Sequence, residues 1–157
     1  MLKVPYFKQD NNYSCGAAAL QMVLRFYGEI YSEKHLAEVL GSNKDFGTSH
    51  QAMIDFVRKD GFHVHEADFA SHDDLKEFLS KNIPVIVNFL EPESNEGHYA
   101  VVIGCEVGHI FLNDPWDGKG FKLTIEAFEK RWINGAGTST HWLMAILPKH
   151  FQHVAKN

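Results

Sequence analysis

The sequence is poor in cysteine, in long apolar runs and in positive charge. Its 157 residues include two cysteines, Cys15 and Cys105, too few for a disulfide scaffold or a four-cysteine zinc site. No apolar run approaches the roughly 18–20 residues of a transmembrane helix. Lysine and arginine total 15 against 20 aspartate and glutamate residues, which gives a formal net charge of −5. This balance disfavours a nucleic-acid-binding protein, because such proteins usually carry a basic face.

The chain also lacks internal repeats, low-complexity stretches and linkers rich in proline or glycine. With 45% hydrophobic residues, it fits a single compact domain over residues 1–157. We expect the core to span about residues 3–147 and a C-terminal tail to span 148–157. The first five residues show no apolar secretion signal, so we expect a cytoplasmic location. Secretion stays open if a signal segment has been removed.

Helical and extended patterns occupy different halves of the sequence. Apolar periodicity and capping residues predict helices over residues 14–27, 32–40, about 48–59, 73–81 and about 125–132. Runs of β-branched and aromatic residues predict strands over residues 62–67, 84–90, 99–105, 110–112, 121–124 and 141–147. Helices come mostly first and strands later, without regular alternation. This order predicts an α+β fold, with N-terminal helices packed on a mostly antiparallel C-terminal sheet.

Cys15 lies at the first turn of the predicted first helix, directly after Ser14, whose hydroxyl is expected to cap it. The helix is apolar around most of its circumference, which indicates a buried position. A helix N-terminus carries partial positive charge and free N–H groups, which favour a thiolate over a thiol. Cys15 is therefore a candidate nucleophile, although a buried structural cysteine is the alternative.

Three further residues have positions that suit acyl transfer through a cysteine. Gln9 precedes Cys15 by six residues, and its side-chain amide with the Cys15 N–H can form an oxyanion hole. His98 stands at the start of a predicted strand, where a general base is held rigidly. Asp114 ends the next strand, and a hairpin around Gly108 would bring it to His98 to fix the imidazole tautomer.

These residues and their neighbours resemble a known family. The stretches that carry the resemblance are QDNNYSCG at 9–16, AAAL at 17–20, GTS at 47–49, GHYAVV at 97–102, NDPW at 113–116 and the pair Phe128 and Trp132. They resemble the C39-type, double-glycine-peptidase-like branch of papain-like cysteine peptidases over about residues 3–147. The resemblance implies a papain-like fold in which Cys15 is the nucleophile, His98 the base, Asp114 its orienting partner and Gln9 part of the oxyanion hole.

The resemblance predicts a thiol hydrolase that cleaves a peptide amide bond in a peptide or protein substrate, without a metal ion or organic cofactor. A papain-like acyltransferase and a catalytically idle peptide-binding module of the same fold remain alternatives. Exporter-fused relatives usually carry aspartate directly before the Cys-Gly pair, whereas this chain has Ser14. The exporter role and the double-glycine leader specificity are therefore not carried over.

Two other features bear on the site. Cys105 ends a predicted strand and is expected to be a buried free thiol, since a disulfide with Cys15 would silence the enzyme. Glu91, Glu93 and Glu96 precede His98 in a predicted loop that would line the cleft. Such a loop is either a solvated acidic surface or the basis of a preference for basic or neutral peptides.

Overall fold

The computed structural model describes residues 1–150, so residues 151–157 of the predicted tail lie outside the described part of the chain. The helices are α1 Cys15–Phe26, α2 Glu33–Leu40, α3 His50–Lys59, α4 His72–Ser80 and α5 Ile125–Arg131. The strands are β1 His63–Ala67, β2 Val85–Leu90, β3 Gly97–Glu106, β4 His109–Asp114, β5 Gly118–Thr124 and β6 Leu143–Leu147. No helix in residues 1–150 has the length and apolar character needed to cross a membrane.

The six strands form one antiparallel sheet in the order β1-β6-β2-β3-β4-β5. The predicted α+β class and antiparallel sheet are confirmed. Helices cover both faces, since α1, α2 and α3 share one apolar core with Ile86 and Val101, whereas α4 and α5 share another with Val87 and Val102. Adjacent strand residues alternate between the two cores, as a pleated sheet requires.

Side-chain caps start most of the helices. Ser32, Ser49, Ser71 and Thr124 each accept a hydrogen bond from a backbone N–H in the first turn. The expected cap at Ser14 is wrong, because its side chain makes no cap hydrogen bond although it precedes α1. The Ser14 hydroxyl donates instead to Glu33, 3.2 Å away. The N–H groups at the start of α1 are therefore left free of side-chain caps.

The predicted strand ends shift by a few residues. The last strand begins at Leu143 rather than at 141, because His141 has a φ of 50°, outside the extended region. The third strand starts two residues earlier than expected, at Gly97, and so includes His98. The turn between β3 and β4 places Val107 and Gly108 at φ values of 52° and 76°, as a tight two-residue hairpin needs.

The N-terminal stretch before α1 crosses from the helical layer to the sheet. Leu2 donates its backbone N–H to Ile103 O at 2.8 Å, and the Tyr6 hydroxyl donates to Asp114 O at 2.8 Å. The Gln9 N–H donates to Pro115 O at 3.0 Å. This stretch therefore holds the residues before Cys15 against the ends of β3 and β4.

Candidate active site

Cys15 is the first residue of α1, and its side chain is partly exposed at the surface of a cleft. The helix behind it is buried from Gly16 to Leu24. Gly16 is in tight contact with Thr48, since a Cβ at position 16 would lie 2.8 Å from the Thr48 Cβ. The absence of a side chain at Gly16 lets the loop before α3 approach the nucleophile candidate directly.

His98 and Asp114 meet as the hairpin prediction requires. His98 lies near the start of β3 and Asp114 at the end of β4, with the His98 Nε2 atom 2.6 Å from the Asp114 Oδ1 atom. Both side chains are almost fully buried. Because Asp114 occupies Nε2, the second ring nitrogen, Nδ1, is the one free to serve the Cys15 thiol, with which the imidazole interacts.

The Asp114 carboxylate is held by its own chain. Its Oδ1 atom also accepts hydrogen bonds from the backbone N–H groups of Trp116 at 2.9 Å and Asp117 at 3.0 Å. The Asp114 side chain is fully buried. A buried carboxylate needs such donors, because an unpaired buried charge is costly. The turn after β4 therefore fixes the carboxylate that in turn orients His98.

The electrostatics of this cluster favour a charged imidazole. Burial opposes the charge on His98, but the hydrogen bonds to Asp114 and Cys15 and the negative charges of both groups outweigh burial and raise its pKa to about 10. His98 is therefore protonated at neutral pH. An imidazolium at His98 beside the sulfur of Cys15 is the arrangement that cysteine nucleophiles use.

Gln9 is buried beside Cys15 and lines the same cavity. Its side-chain Nε2 donates to Asn11 O at 2.6 Å, and an amide nitrogen has a second hydrogen to donate. Its Oε1 atom is buried without a partner among residues 1–150. The structure thus brings Gln9, Cys15 and His98 to one cavity, with Asp114 fully buried and hydrogen-bonded to His98.

Glu33 is a residue of this region that sequence reasoning missed. Its Oε2 atom, at the start of α2, accepts the Asp10 N–H at 2.8 Å and the Ser14 hydroxyl at 3.2 Å. Burial raises the pKa of Glu33 to about 7, against the lowering effect of these two donors. The Glu33 side chain therefore ties down the loop that runs from Gln9 to Cys15. No local pattern reveals this role, because an acidic residue in a first helical turn normally serves the helix dipole.

The cleft has two halves that share Cys15 and Gly97. The His98 cavity, about 330 Å³, is lined by Gln9, Asn12, Cys15, Glu91, Glu93, Ser94, Glu96, Gly97, His98 and Trp116. The Asn88 cavity, about 550 Å³, is lined by Cys15, residues 45–50, Asn88, Gly97, Tyr99 and residues 134–136. The three glutamates of the predicted acidic loop lie in the wall of the His98 cavity.

The carboxyl group of Glu91, in the wall of the His98 cavity, interacts with that of Asp117. The buried Glu91 carboxylate accepts the N–H groups of Glu93 and Ser94, which outweigh its burial and lower its pKa. Burial, followed by the charges of Asp114 and Glu91, raises the pKa of Asp117 to about 7. A protonated Asp117 can donate to Glu91, so near neutral pH the two groups share one proton. The proton is held on Asp117, whereas the lowered pKa of Glu91 keeps this member of the acidic loop ionised.

Neither cysteine forms a disulfide. Cys105 is free, as expected, but it is only partly buried. Burial raises the pKa of its thiol. Within residues 1–150, no group of three or more histidine, cysteine, aspartate or glutamate side chains is arranged to hold a metal ion.

Comparisons with known proteins identify the relatives of this chain. A model of the peptidase C39-like family matches residues 1–140. The chain is 31% identical over 151 residues to the transport/processing ATP-binding protein ComA of Streptococcus pneumoniae. This alignment covers 94% of the present chain and 20% of ComA. The chain thus spans about a fifth of the length of ComA and of the lactococcin-G-processing and transport ATP-binding protein LagD of Lactococcus lactis.

Two solved structures share the fold over almost the whole chain. The peptidase domain of Streptococcus ComA superposes with a TM-score of 0.75 and 26% identity, covering 91% of this chain and 97% of that domain. A double glycine motif protease from an AMS/PCAT transporter, solved in complex with the leader peptide, superposes with a TM-score of 0.74 and 24% identity. The superposition covers 94% of this chain and 93% of that protease. The family match agrees with a site that has a cysteine at the start of a helix and a histidine on a strand. This chain is a member of the peptidase C39-like family.

Proposed function

We propose that this chain is a cysteine peptidase that hydrolyses a peptide bond with Cys15 as nucleophile, His98 as acid and base, and Asp114 as the group that orients His98. One observation carries the proposal. The bond between His98 Nε2 and Asp114 Oδ1 leaves Nδ1 for the thiol, and both residues are buried around it. A binding module without catalysis has no use for a buried, oriented imidazole beside a thiol.

The proposed reaction runs in two acyl-transfer steps. The Cys15 thiolate attacks the scissile carbonyl, and the imidazolium of His98 gives its Nδ1 proton to the leaving amine, so that a thioester forms and the amine departs. The neutral imidazole then takes a proton from water, which attacks the thioester. The acid product leaves, and the Cys15 thiolate and the His98 imidazolium are restored.

Two donors suit the negative charge that develops on the carbonyl oxygen. One is the backbone N–H of Cys15, at the uncapped N-terminus of α1. The other is the second hydrogen of the Gln9 amide nitrogen, whose first hydrogen is used by Asn11. Two fixed donors in a partly buried site stabilise an oxyanion better than water does, because they need no reorganisation.

The two halves of the cleft have different tasks in this proposal. The leaving amine must lie within reach of His98, so the segment after the scissile bond lies in the His98 cavity. The acyl segment before the bond then lies in the Asn88 cavity. Gly97 and Gly135 narrow that half, since a Cβ at Gly97 would lie 2.7 Å from the Gly135 nitrogen. We therefore propose a substrate with small residues before the bond, in keeping with the double glycine motif protease among the similar structures.

A peptide library tests the proposal. The wild-type chain is expected to cleave members with small residues before the scissile bond, and the Cys15→Ala variant is the blank. Adding a primary amine separates hydrolysis from acyl transfer, because a transferase diverts product to the amine. Equal cleavage by the wild type and the Cys15→Ala variant would refute the assigned nucleophile.

A further inference from the structure

The Asn88 cavity contains a buried acceptor that the chain itself leaves unused. Asn88 is 7% exposed, and its Oδ1 atom is buried with no hydrogen-bond partner among residues 1–150. Buried polar atoms in native proteins are almost always hydrogen-bonded, and each exception asks for an explanation. An unpaired oxygen in the wall of a cavity that ends at Cys15 indicates a donor supplied from outside the chain.

The position of Asn88 in β2 directs its side chain toward α1. Its neighbours Val87 and Phe89 belong to the core on the opposite face of the sheet, and side chains alternate along a strand. Across the sheet, Asn88 pairs with Tyr99, whose hydroxyl is already occupied by Thr48 O at 2.8 Å. The Tyr99 hydroxyl is therefore committed elsewhere.

Asn88 lies beside a close contact between the backbones of Gly97 and Gly135. The Asn88 Oδ1 atom lies 3.5 Å from the point that a Cβ at position 97 would occupy. The backbone of Gly135 stands 2.7 Å from the same point. The Gly97 and Gly135 backbones therefore pack directly against each other, with the Asn88 oxygen beside their contact. Both glycines line the Asn88 cavity, so its wall next to Asn88 consists of main-chain atoms.

We propose that Asn88 Oδ1 accepts a hydrogen bond from a main-chain N–H of the substrate, within the few residues that precede the scissile bond. The proposal rests on the proposed function, which assigns the acyl segment to this half of the cleft. A neutral amide oxygen matches a neutral peptide N–H, whereas a cationic side chain would call for a carboxylate. Asn88 is then a substrate-binding residue that aligns the acyl segment along β2 and Gly97.

The test measures binding without hydrolysis, in a Cys15→Ala background. The probes are a fluorescein-labelled peptide with Gly-Gly before the scissile bond and a set of analogues in which one peptide N–H at a time is replaced by an ester oxygen. We expect one analogue to bind about 10-fold more weakly than the amide peptide, because it lacks the N–H that Asn88 accepts. In a Cys15→Ala, Asn88→Leu protein, the amide peptide and that analogue should bind equally.

Thermal unfolding distinguishes this role from a structural one. Asn88→Leu removes an unpaired buried oxygen, so its melting temperature should equal or exceed that of the parent protein. A lower melting temperature of the Asn88→Leu protein would overturn the proposal. So would an ester analogue that still binds this protein more weakly than the amide peptide does. Asn88→Asp keeps an acceptor and should keep the sensitivity to the ester. Failure of the wild type to cleave a peptide that it binds would refute the proposed function alone, because the ester comparison does not depend on cleavage.

Discussion

The Nε2 atom of His98 lies 2.6 Å from the Oδ1 atom of Asp114, although the residues stand on different strands. The same oxygen accepts two backbone N–H groups from the turn after β4, so the carboxylate cannot rotate away without breaking three hydrogen bonds. Its position fixes which imidazole nitrogen faces Cys15. The tautomer and the charge of His98 are therefore set by the turn after β4, whose Trp116 also lines the His98 cavity.

Replacing Asp114 with asparagine should weaken catalysis and lower the pKa of His98. The neutral amide removes the charge that favours the imidazolium, so the pKa should fall below its value of about 10 in the wild type. Loss of His98 itself should reduce kcat by roughly 10²–10⁴-fold, and Asp114→Asn should reduce it by less. An NMR titration of the His98 ring protons, together with kcat for Asp114→Asn and His98→Ala, checks both expectations. A larger loss in Asp114→Asn than in His98→Ala would contradict the assigned roles.

The charge on His98 should make stability depend on pH. Its pKa is about 10 in the folded protein and about 6.5 in an unfolded chain. Its contribution is therefore complete below about pH 6.5 and is lost as the pH rises toward 10. We expect the free energy of unfolding of the wild type, relative to His98→Gln, to fall by at least ~1 kcal/mol between these limits. Urea unfolding at several pH values measures it, and a constant difference would contradict the raised pKa.

The two cysteines should differ sharply toward an alkylating reagent. Cys15 lies in the cleft beside an imidazolium, whereas burial raises the pKa of Cys105 and keeps it a thiol. Iodoacetamide at pH 7 should label Cys15 at least ~10-fold faster than Cys105, because the thiolate is the reactive form. Mass spectrometry of peptides after timed labelling gives both rates. In the His98→Gln variant, the labelling rate of Cys15 should fall and that of Cys105 should stay unchanged. Equal labelling rates of the two cysteines in the wild type would argue against an activated thiol at Cys15.

Glu33 should affect turnover although it does not line the cleft. Glu33→Leu leaves the Asp10 N–H and the Ser14 hydroxyl without their acceptor, which loosens the loop that carries Gln9. We expect kcat to fall about 10-fold with little change in KM, since a looser loop holds the Gln9 amide less firmly against the oxyanion that develops in the transition state. Steady-state kinetics on a cleaved library peptide measures the two constants separately.

Two variants control this experiment. Glu33→Gln keeps an acceptor oxygen and should retain most of the activity. Glu38→Leu changes an exposed glutamate of the same helix and should behave as the wild type. A loss of kcat in Glu33→Leu that is matched in Glu38→Leu would mean that the effect arises from the helix and not from the loop.

The fold was largely predictable because its signals are local. Serine caps at Ser32 and Ser49, the glycine after α2 and the turn at Gly108 follow from short-range chemistry. Ser14 looks like the same kind of signal but is not, because a carboxylate from α2 competes for its hydroxyl. That competitor lies 19 positions away in the sequence, and nothing near Ser14 announces it.

The candidate site was predictable where chemistry and element ends coincide. Cys15 at a helix start and His98 and Asp114 at strand ends could be named from the sequence, and the structure brings them together with Gln9. Glu33 and Asn88 could not be named. Each is significant only because of what lies across the fold from it, a loop for Glu33 and the closely packed backbones of Gly97 and Gly135 for Asn88.

The hydrogen bonds that tie the N-terminal stretch to the far ends of β3 and β4 have a consequence for protein synthesis. Cys15 leaves the ribosome about 100 residues before Asp114, a delay of roughly 5–20 s at ~5–20 residues per second. Until then the thiol has neither an oriented imidazole nor the anchor that Pro115 provides for Gln9. A nascent chain therefore carries the nucleophile in an inactive form, and other growing polypeptides nearby are not exposed to it.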